Sequence, residues 1–165
     1  MSSVQRSIRQ INLITIIVGV AVFMLFTNAY AHCEVPCGIY DDQARIETIA
    51  EDIRTIEKGM NQINALSDNP DENMNQLVRW VNNKDEHADR IKSTVAEYFL
   101  SQRIKKPETD DLQAKESYQK KLSLLHDLTV HAMKAKQTTD LHHVEALRES
   151  LDTFRELYLN KLKKS

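Results

Sequence analysis

Hydrophobic residues recur at intervals of three or four along most of the chain, which is the spacing of amphipathic α-helices. After residue 40 the pattern divides into four such segments with short breaks between them. The first ends at Ser67–Pro70, and the others extend over about Asp71–Arg103, Asp110–Lys136 and Asp140–Lys161. Because each segment has one apolar face, we predict an all-α fold, an up-down antiparallel four-helix bundle over residues 41–165.

Each predicted helix has an apolar stripe that should face the core. The stripes are Ile46, Ile49, Ile53, Ile56, Met60 and Ile63; Leu77, Val81, Ala88, Ile91, Val95 and Tyr98; Tyr118, Leu122, Leu125, Thr129 and Ala132; and Leu141, Val144, Leu147, Leu151, Phe154 and Tyr158. Polar residues 82–87 interrupt the second stripe, as either a solvated face or a functional one. Asp41 and Asp42 should cap the first helix and complement its dipole.

Residues 1–31 have a different composition from the rest of the chain. They contain Arg6 and Arg9 but no acidic residue, then the 16-residue apolar run Ile11–Phe26, then Ala29-Tyr30-Ala31. This small-x-small pattern is typical of signal-peptidase sites, and the run is shorter than the ~20 residues that span a bilayer. We predict a cleaved signal peptide over 1–31, export to the periplasm or the exterior, and no stable membrane association afterwards. An uncleaved anchor ahead of an interaction bundle is the alternative.

The charge balance indicates no nucleic-acid partner. The whole chain has 22 basic and 24 acidic residues, and loss of Arg6 and Arg9 would leave 20 basic against 24 acidic, a net charge of −4. No stripe of basic residues with interleaved aromatics is visible, and such a stripe is typical of nucleic-acid interfaces.

Both cysteines lie just behind the predicted cleavage site, within residues 32–40, HCEVPCGIY. A disulfide across so short a loop would constrain little of the unfolded chain. Cleavage after Ala31 would instead give His32 a terminal amine. This amine, the Cys33 backbone nitrogen and the Cys33 thiolate would form two adjacent five-membered chelate rings, and Cys37 could supply a fourth donor. A planar set of two nitrogens and two sulfurs suits nickel(II) or copper(II), with the His32 imidazole as an axial ligand.

The remaining histidines give weaker signals for a metal. No Glu-x-x-His occurs, so the pattern of carboxylate-bridged di-iron bundles is not met. His142 and His143 are adjacent, and on a helix neighbouring side chains diverge by about 100 degrees. We interpret these two, and likewise His126 and His131, as surface or helix-start residues.

Residues 32–40 resemble the mature N-terminus of the nickel-containing superoxide dismutases, His-Cys-x-x-Pro-Cys-Gly-x-Tyr, and residues 43–47 resemble the family's continuation. The resemblance implies a four-helix bundle that assembles as a homohexamer, with one nickel ion per chain. It further implies that nickel cycles between Ni(II) and Ni(III), oxidising one superoxide to oxygen and reducing the next to hydrogen peroxide. The alternative is an exported, non-catalytic bundle that binds nickel or copper.

The resemblance also implies roles for individual residues. The metal ligands would come from His32, Cys33 and Cys37, and Tyr40 would line the substrate pocket. The surrounding residues would be Glu34, Pro36, Gly38 at a tight turn, Glu47 orienting the imidazole, and His87 where family members have an arginine. Because a net charge of −4 does not attract an anion, we expect local steering of superoxide by lysines such as Lys84.

Overall fold

The four predicted helices are all present. A computed structural model describes residues 36–108 and 110–162, with side chains as far as residue 159; the predicted signal peptide and His32, Cys33 and Glu34 lie outside the described residues. The elements are α1 (Asp42–Leu66), α2 (Pro70–Ser93) continued by a π-helical segment (Thr94–Arg103), α3 (Leu112–Gln137) and α4 (His142–Leu162). The described ranges contain no β-strand, which confirms the all-α prediction.

The helices are arranged as a bundle with up-down connections. Helix α1 packs against α2 and α4, and α3 packs against the same two helices. Short connections between consecutive helices make neighbours antiparallel. None of the helices in the described part of the chain combines the length and the apolar character that a membrane span requires.

Side-chain caps fix where the helices begin. The Asp41 carboxylate accepts a hydrogen bond of 2.9 Å from the Ala44 amide, which confirms its predicted capping role. The Asp111 carboxylate accepts from the Gln113 amide at 3.0 Å. Pro70 occupies the start of α2, where its missing N–H has no intrahelical partner to lose.

The core confirms two of the predicted apolar stripes almost completely. All six predicted residues of α1 are buried, as are those of α4 apart from Leu141, which is half-buried. Four aromatic residues form one packed cluster in this core: Tyr98, Phe99, Phe154 and Tyr158. The Phe99 and Phe154 rings meet edge to face with centroids 5.1 Å apart.

The predicted apolar stripe of α3 is wrong, because the face of this helix that packs in the core is rotated about the helix axis relative to the predicted one. Tyr118, Leu122 and Thr129 are only half-buried. The face in the core consists of Lys121, Leu124, Leu125, Leu128, Ala132 and Ala135. Leucines occur on several sides of α3, so helical spacing alone permits more than one stripe. Packing selects the side with alanines near its end, because small residues permit close helix approach.

The predicted stripe of α2 is wrong in its first half. Neither Leu77 nor Val81 is buried, whereas Ala88, Ile91, Val95 and Tyr98 are. Residues 70–83 contribute no buried side chain, and the first one on α2 is Lys84. The first half of α2 therefore lies at the edge of the bundle, where Met74, Val78 and Val81 are exposed.

Lys84 is buried, which is contrary to its predicted role in steering superoxide. Its side chain is in the bundle at 2% exposure, and its ammonium donates to the carbonyls of Ala135 at 2.6 Å and Lys136 at 2.9 Å. A cation is favourable at the carbonyl end of a helix. A Cβ on Gly59 of α1 would lie 3.2 Å from the Lys84 Cβ, so glycine permits α1 to approach here. Lys84 thus joins three helices and is withdrawn from solvent.

Candidate metal centre and its surroundings

The described part of the predicted hook is a turn that leads into α1. Pro36, Cys37 and Gly38 form the turn, and the Cys37 side chain is exposed. Gly38 has a φ of +78°, a left-handed conformation that only glycine adopts without cost. Residues 36–108 and 110–162 contain no group of three or more histidine, cysteine or acidic side chains that is set to hold a metal ion. Of the three predicted ligand residues, only Cys37 is in that range.

Tyr40 is held at the end of this turn by two contacts to the π-helical segment. Its ring meets Tyr98 edge to face, with centroids 5.9 Å apart. The Arg103 guanidinium carbon lies 4.3 Å from the centroid of the Tyr40 ring, which is a cation–π contact. The side chain is still 40% exposed. Tyr40 is therefore fixed against the bundle while part of it faces solvent beside Cys37.

The Asp42 carboxylate holds both of the groups that contact Tyr40. Arg103 donates to it from Nε and Nη2, each at 2.7 Å, and the Tyr98 hydroxyl donates at 2.8 Å. Burial acts to raise the pKa of Asp42, but the hydrogen bonds from Arg103 and Tyr98 and the charge of Arg103 lower it below its ordinary value. Asp42 thus remains ionised, and its pairing with Arg103 is bidentate.

The π-helical segment brings Tyr98 and Arg103 to the same carboxylate. Its backbone bonds connect residues five apart, as in the 2.8 Å bond from the Ile104 amide to the Phe99 carbonyl. In an α-helix, residues five apart point about 140 degrees apart, whereas the wider π turn brings their directions closer together. Tyr98 and Arg103 are five apart, and the Tyr98 ring is buried while its hydroxyl reaches Asp42.

The cluster of Asp42, Tyr98, Arg103 and Tyr40 is not predicted by the sequence. The sequence pattern predicts Tyr98 in an apolar stripe, Asp42 at the start of a helix and Arg103 at a helix end. No local signal marks the π-helical segment, since its hydrophobic pattern continues that of α2. The separation of five between a tyrosine and an arginine before a proline-containing break was the only available hint.

Tyr158 of α4 lies next to Asp42 and Arg103 of this cluster. Its ring stacks on Phe154 with centroids 5.1 Å apart. Burial, and then the charge of Asp42, raise the pKa of Tyr158 to about 12. The phenol therefore remains neutral across the physiological range.

Glu47 points along a groove between α1 and α4. Its carboxylate is 3.2 Å from Nη2 of Arg155, whose Nη1 is also 3.2 Å from Asp152. The groove has a volume of about 340 Å³ and is further lined by Arg54, Glu57 and Arg148. In this structure Glu47 thus has a cationic partner on α4.

His87 contacts a buried carboxylate of α1. Its Nδ1 is 2.6 Å from Oδ1 of Asp52, and its Nε2 is 3.2 Å from Nη2 of Arg90. Because arginine can only donate, Nε2 accepts and Nδ1–H donates to Asp52. Burial raises the pKa of Asp52 above its ordinary value, although the hydrogen bond from His87 acts in the opposite direction. Glu47 and His87 are therefore not part of one cluster: Glu47 pairs with Arg155 on α4, and His87 contacts Asp52 on α1.

The fold and this turn define the class of protein: a four-helix bundle whose exposed cysteine lies on the turn before the first helix. The family model described as nickel-containing superoxide dismutase matches residues 27–162, so the chain belongs to this family. It is an oxidoreductase with nickel as cofactor and superoxide as substrate, as the resemblance implied. No curated protein and no solved structure matches the chain.

Proposed function

We propose that residues 32–40 hold the nickel ion of this superoxide dismutase and that export and cleavage after Ala31 create the site. The observation that carries the proposal is the exposed Cys37 on a glycine turn, directly before an anchored Tyr40. The His32 amine and imidazole, the Cys33 amide and thiolate and the Cys37 thiolate would be the donors. Such a nitrogen and sulfur set fits nickel(II) better than the tetrahedral preference of zinc.

When bound, nickel supplies a one-electron Ni(II)/Ni(III) couple, through which two superoxide ions and two protons become one oxygen and one hydrogen peroxide. The protein's own part is to position the donors and the approach of the anion. Arg103 and Tyr98 hold Tyr40, and Tyr40 limits how far the Gly38 turn can move. Cys37 is three residues away, so its thiolate is kept within a small volume next to the bundle.

Local positive charge near Tyr40 comes from arginine rather than from Lys84. The guanidinium carbon of Arg45 lies 5.4 Å from the centroid of the Tyr98 ring, and the Arg45 side chain is exposed. Arg103 is largely neutralised by Asp42, with which it shares two hydrogen bonds. Arg45 is therefore the residue we expect to attract superoxide to the Tyr40 side of the bundle.

The test combines the N-terminal sequence, the metal content and the activity of the purified protein. We expect a chain that begins at His32, about one nickel per chain, and loss of turnover in Cys37→Ser. Ile39→Val is the matched control, because Ile39 is exposed in the same turn and supplies no donor. Full activity in Cys37→Ser, or in a chain that retains Ala31 before His32, would overturn the proposal.

We further propose that copies of the chain assemble through the outer face of the first half of α2, as the hexamer that the family resemblance implies. Met74, Val78 and Val81 lie one helical turn apart on this face and are 54%, 51% and 38% exposed. An apolar stripe of this kind is usually covered by a partner. Light scattering should show an oligomer that Val78→Glu reduces to smaller species. Gln76→Glu, on the opposite side of the helix, should not do so, and an unchanged mass for Val78→Glu would exclude this face.

A further inference from the structure

Three histidines gather where α3 ends and α4 begins. His131 is on α3, and His142 and His143 are in the first turn of α4. The ring centroids are 5.4 Å apart for His131 and His143, 5.5 Å for His142 and His143, and 6.1 Å for His131 and His142. Adjacent helix positions do diverge, as expected, but the packing of α3 against α4 supplies His131 as a third ring between them.

The closest pair has the separation of two ligands on one metal ion. Nδ1 of His131 is 3.2 Å from Nδ1 of His143. With metal–nitrogen bonds of 2.0–2.1 Å, neighbouring nitrogens are about 3.3 Å apart in a tetrahedral site and about 2.9 Å apart at a right angle. The observed distance lies between these values. The two side chains would therefore need little movement to share an ion.

Burial at this position disfavours the charged form of the His131 imidazole. Burial lowers the pKa of His131 below its ordinary value, and the neighbouring His143 and Lys134 lower it further, whereas Asp127 acts in the opposite direction. A neutral imidazole keeps a lone pair for a metal. The Asp140 carboxylate accepts a 2.9 Å hydrogen bond from the His142 amide, so the backbone that carries His142 and His143 is fixed.

We propose that His131 and His143 bind a divalent transition-metal ion, with water at the remaining positions and exposed His142 able to rotate in as a third ligand. The three rings are not already set around one point, since the described residues contain no ready group of three donors. The site shares no residue with the predicted hook. Tyr158, which lies near the Asp42 and Arg103 pair, and His143 are at opposite ends of α4, about 22 Å apart at 1.5 Å per residue.

The site is tested with Zn²⁺, which has no redox chemistry, titrated into the nickel-loaded protein by calorimetry. We expect one zinc ion per chain in addition to the nickel, with micromolar affinity. His143→Ala and His131→Ala should each weaken binding by about tenfold or more, since each removes one of two ligands. His126→Ala is the matched control, because His126 is an exposed histidine of the same helix.

Circular dichroism and superoxide turnover of each variant check that the fold and the nickel centre are intact. Should His131→Ala not fold, His143→Ala alone decides, because His143 is at the start of α4 where truncation disturbs less packing. Absence of zinc binding in the parent protein, as expected if the 3.2 Å contact is only a hydrogen bond between two imidazoles, would overturn the proposal. Equal zinc binding by the parent and by His131→Ala/His143→Ala would overturn it as well. The site does not depend on the hook, so Cys37→Ser should retain a zinc ion that is sensitive to His131.

Discussion

Asp42 and Asp52 are two carboxylates of the same helix with opposite electrostatic outcomes. Asp42 accepts three hydrogen bonds, two of them from Arg103, and its pKa is lowered. Asp52 is only 2% exposed, and its Oδ2 is buried without a hydrogen-bond partner among the described residues. Its pKa is raised. The number of donors that reach a carboxylate thus decides its pKa: three hydrogen bonds outweigh burial at Asp42, whereas the single hydrogen bond from His87 does not outweigh burial at Asp52.

The clusters around Asp42 and Asp52 also have different roles in the molecule. The Asp42 cluster is a charge-paired anchor that holds Tyr40 beside the predicted hook. The Asp52 cluster joins α1 to α2 in the interior through His87, and a buried ionic contact of this kind adds little to stability because of its desolvation cost. The family resemblance placed His87 around the metal, but here both ring nitrogens already have partners within the bundle.

The largest effect is expected from Arg103→Ala, which removes two of the three hydrogen bonds to Asp42 together with the cation over Tyr40. Breaking one side of a partly buried ion pair leaves the other charge without its partner, so the free energy of unfolding should fall by about 2 kcal/mol. Superoxide turnover per bound nickel should fall by about tenfold, because Tyr40 loses its anchor. Urea unfolding and activity assays measure the two effects. The exposed Arg79→Ala is the control, and unchanged turnover in Arg103→Ala would show that Tyr40 is positioned by other contacts.

The comparison is sharpened by introducing the same amide at both positions. Asp42→Asn loses a bidentate, charge-assisted contact and should cost about 2 kcal/mol of unfolding free energy. Asp52→Asn keeps an acceptor for His87 and removes a buried charge, so its effect should stay within about 1 kcal/mol. Urea unfolding of both variants at neutral pH tests the order. A larger loss at Asp52 than at Asp42 would reverse our account of the two sites.

The pH dependence of Asp52→Asn gives a smaller effect whose sign is fixed. Because the pKa of Asp52 is raised in the folded protein, its favourable contribution is complete below the unfolded value of about 3.9 and is lost as the pH rises through the folded value. The parent protein should therefore gain stability relative to Asp52→Asn as the pH falls from 7 towards 4. Thermal unfolding of both proteins over this range measures the change. If the stability of the parent protein instead falls relative to that of Asp52→Asn on acidification, the pKa of Asp52 is not raised in the folded protein.

The smallest effect should be visible only in alkali. The pKa of Tyr158 is raised to about 12, so the stabilisation by its neutral phenol is present below about pH 10 and disappears as the pH approaches 12. Tyr158→Phe cannot ionise and should unfold less steeply across this interval, provided that both proteins are compared at the same salt concentration. Parallel unfolding curves for the two proteins would indicate that Tyr158 does not contribute to alkaline unfolding.

Local chemistry explains why the helices could be predicted and their faces only partly. The ends of α1 and α2 follow from Asp41, Ser67 and Pro70, which act on neighbouring backbone groups. The isoleucines of α1 permit only one apolar face. Leucines on several sides of α3 permit more than one, and the choice was wrong because it depends on which helix lies opposite.

The turn and the Asp42 cluster of the candidate site also differ in how far the sequence could predict them. Cys37, Gly38 and Tyr40 could be recognised because their chemistry depends on spacing within one short segment. Arg103 and Asp42 could not, since they are 61 residues apart in the chain and meet only when the π-helical segment packs against the start of α1.

By itself the sequence determined the four helices, the boundaries of most of them, and a family whose predicted metal donors lie within a few residues of one another. These features depend on backbone hydrogen bonding, capping and helical periodicity, all of which act over one or two turns. Only the tertiary structure decided that Lys84 is buried at the end of α3, that Arg103 holds Tyr40, and that His131 meets His143. Each of these depends on the rotation and axial offset of one helix against another, which hydrophobic periodicity within a single helix does not specify.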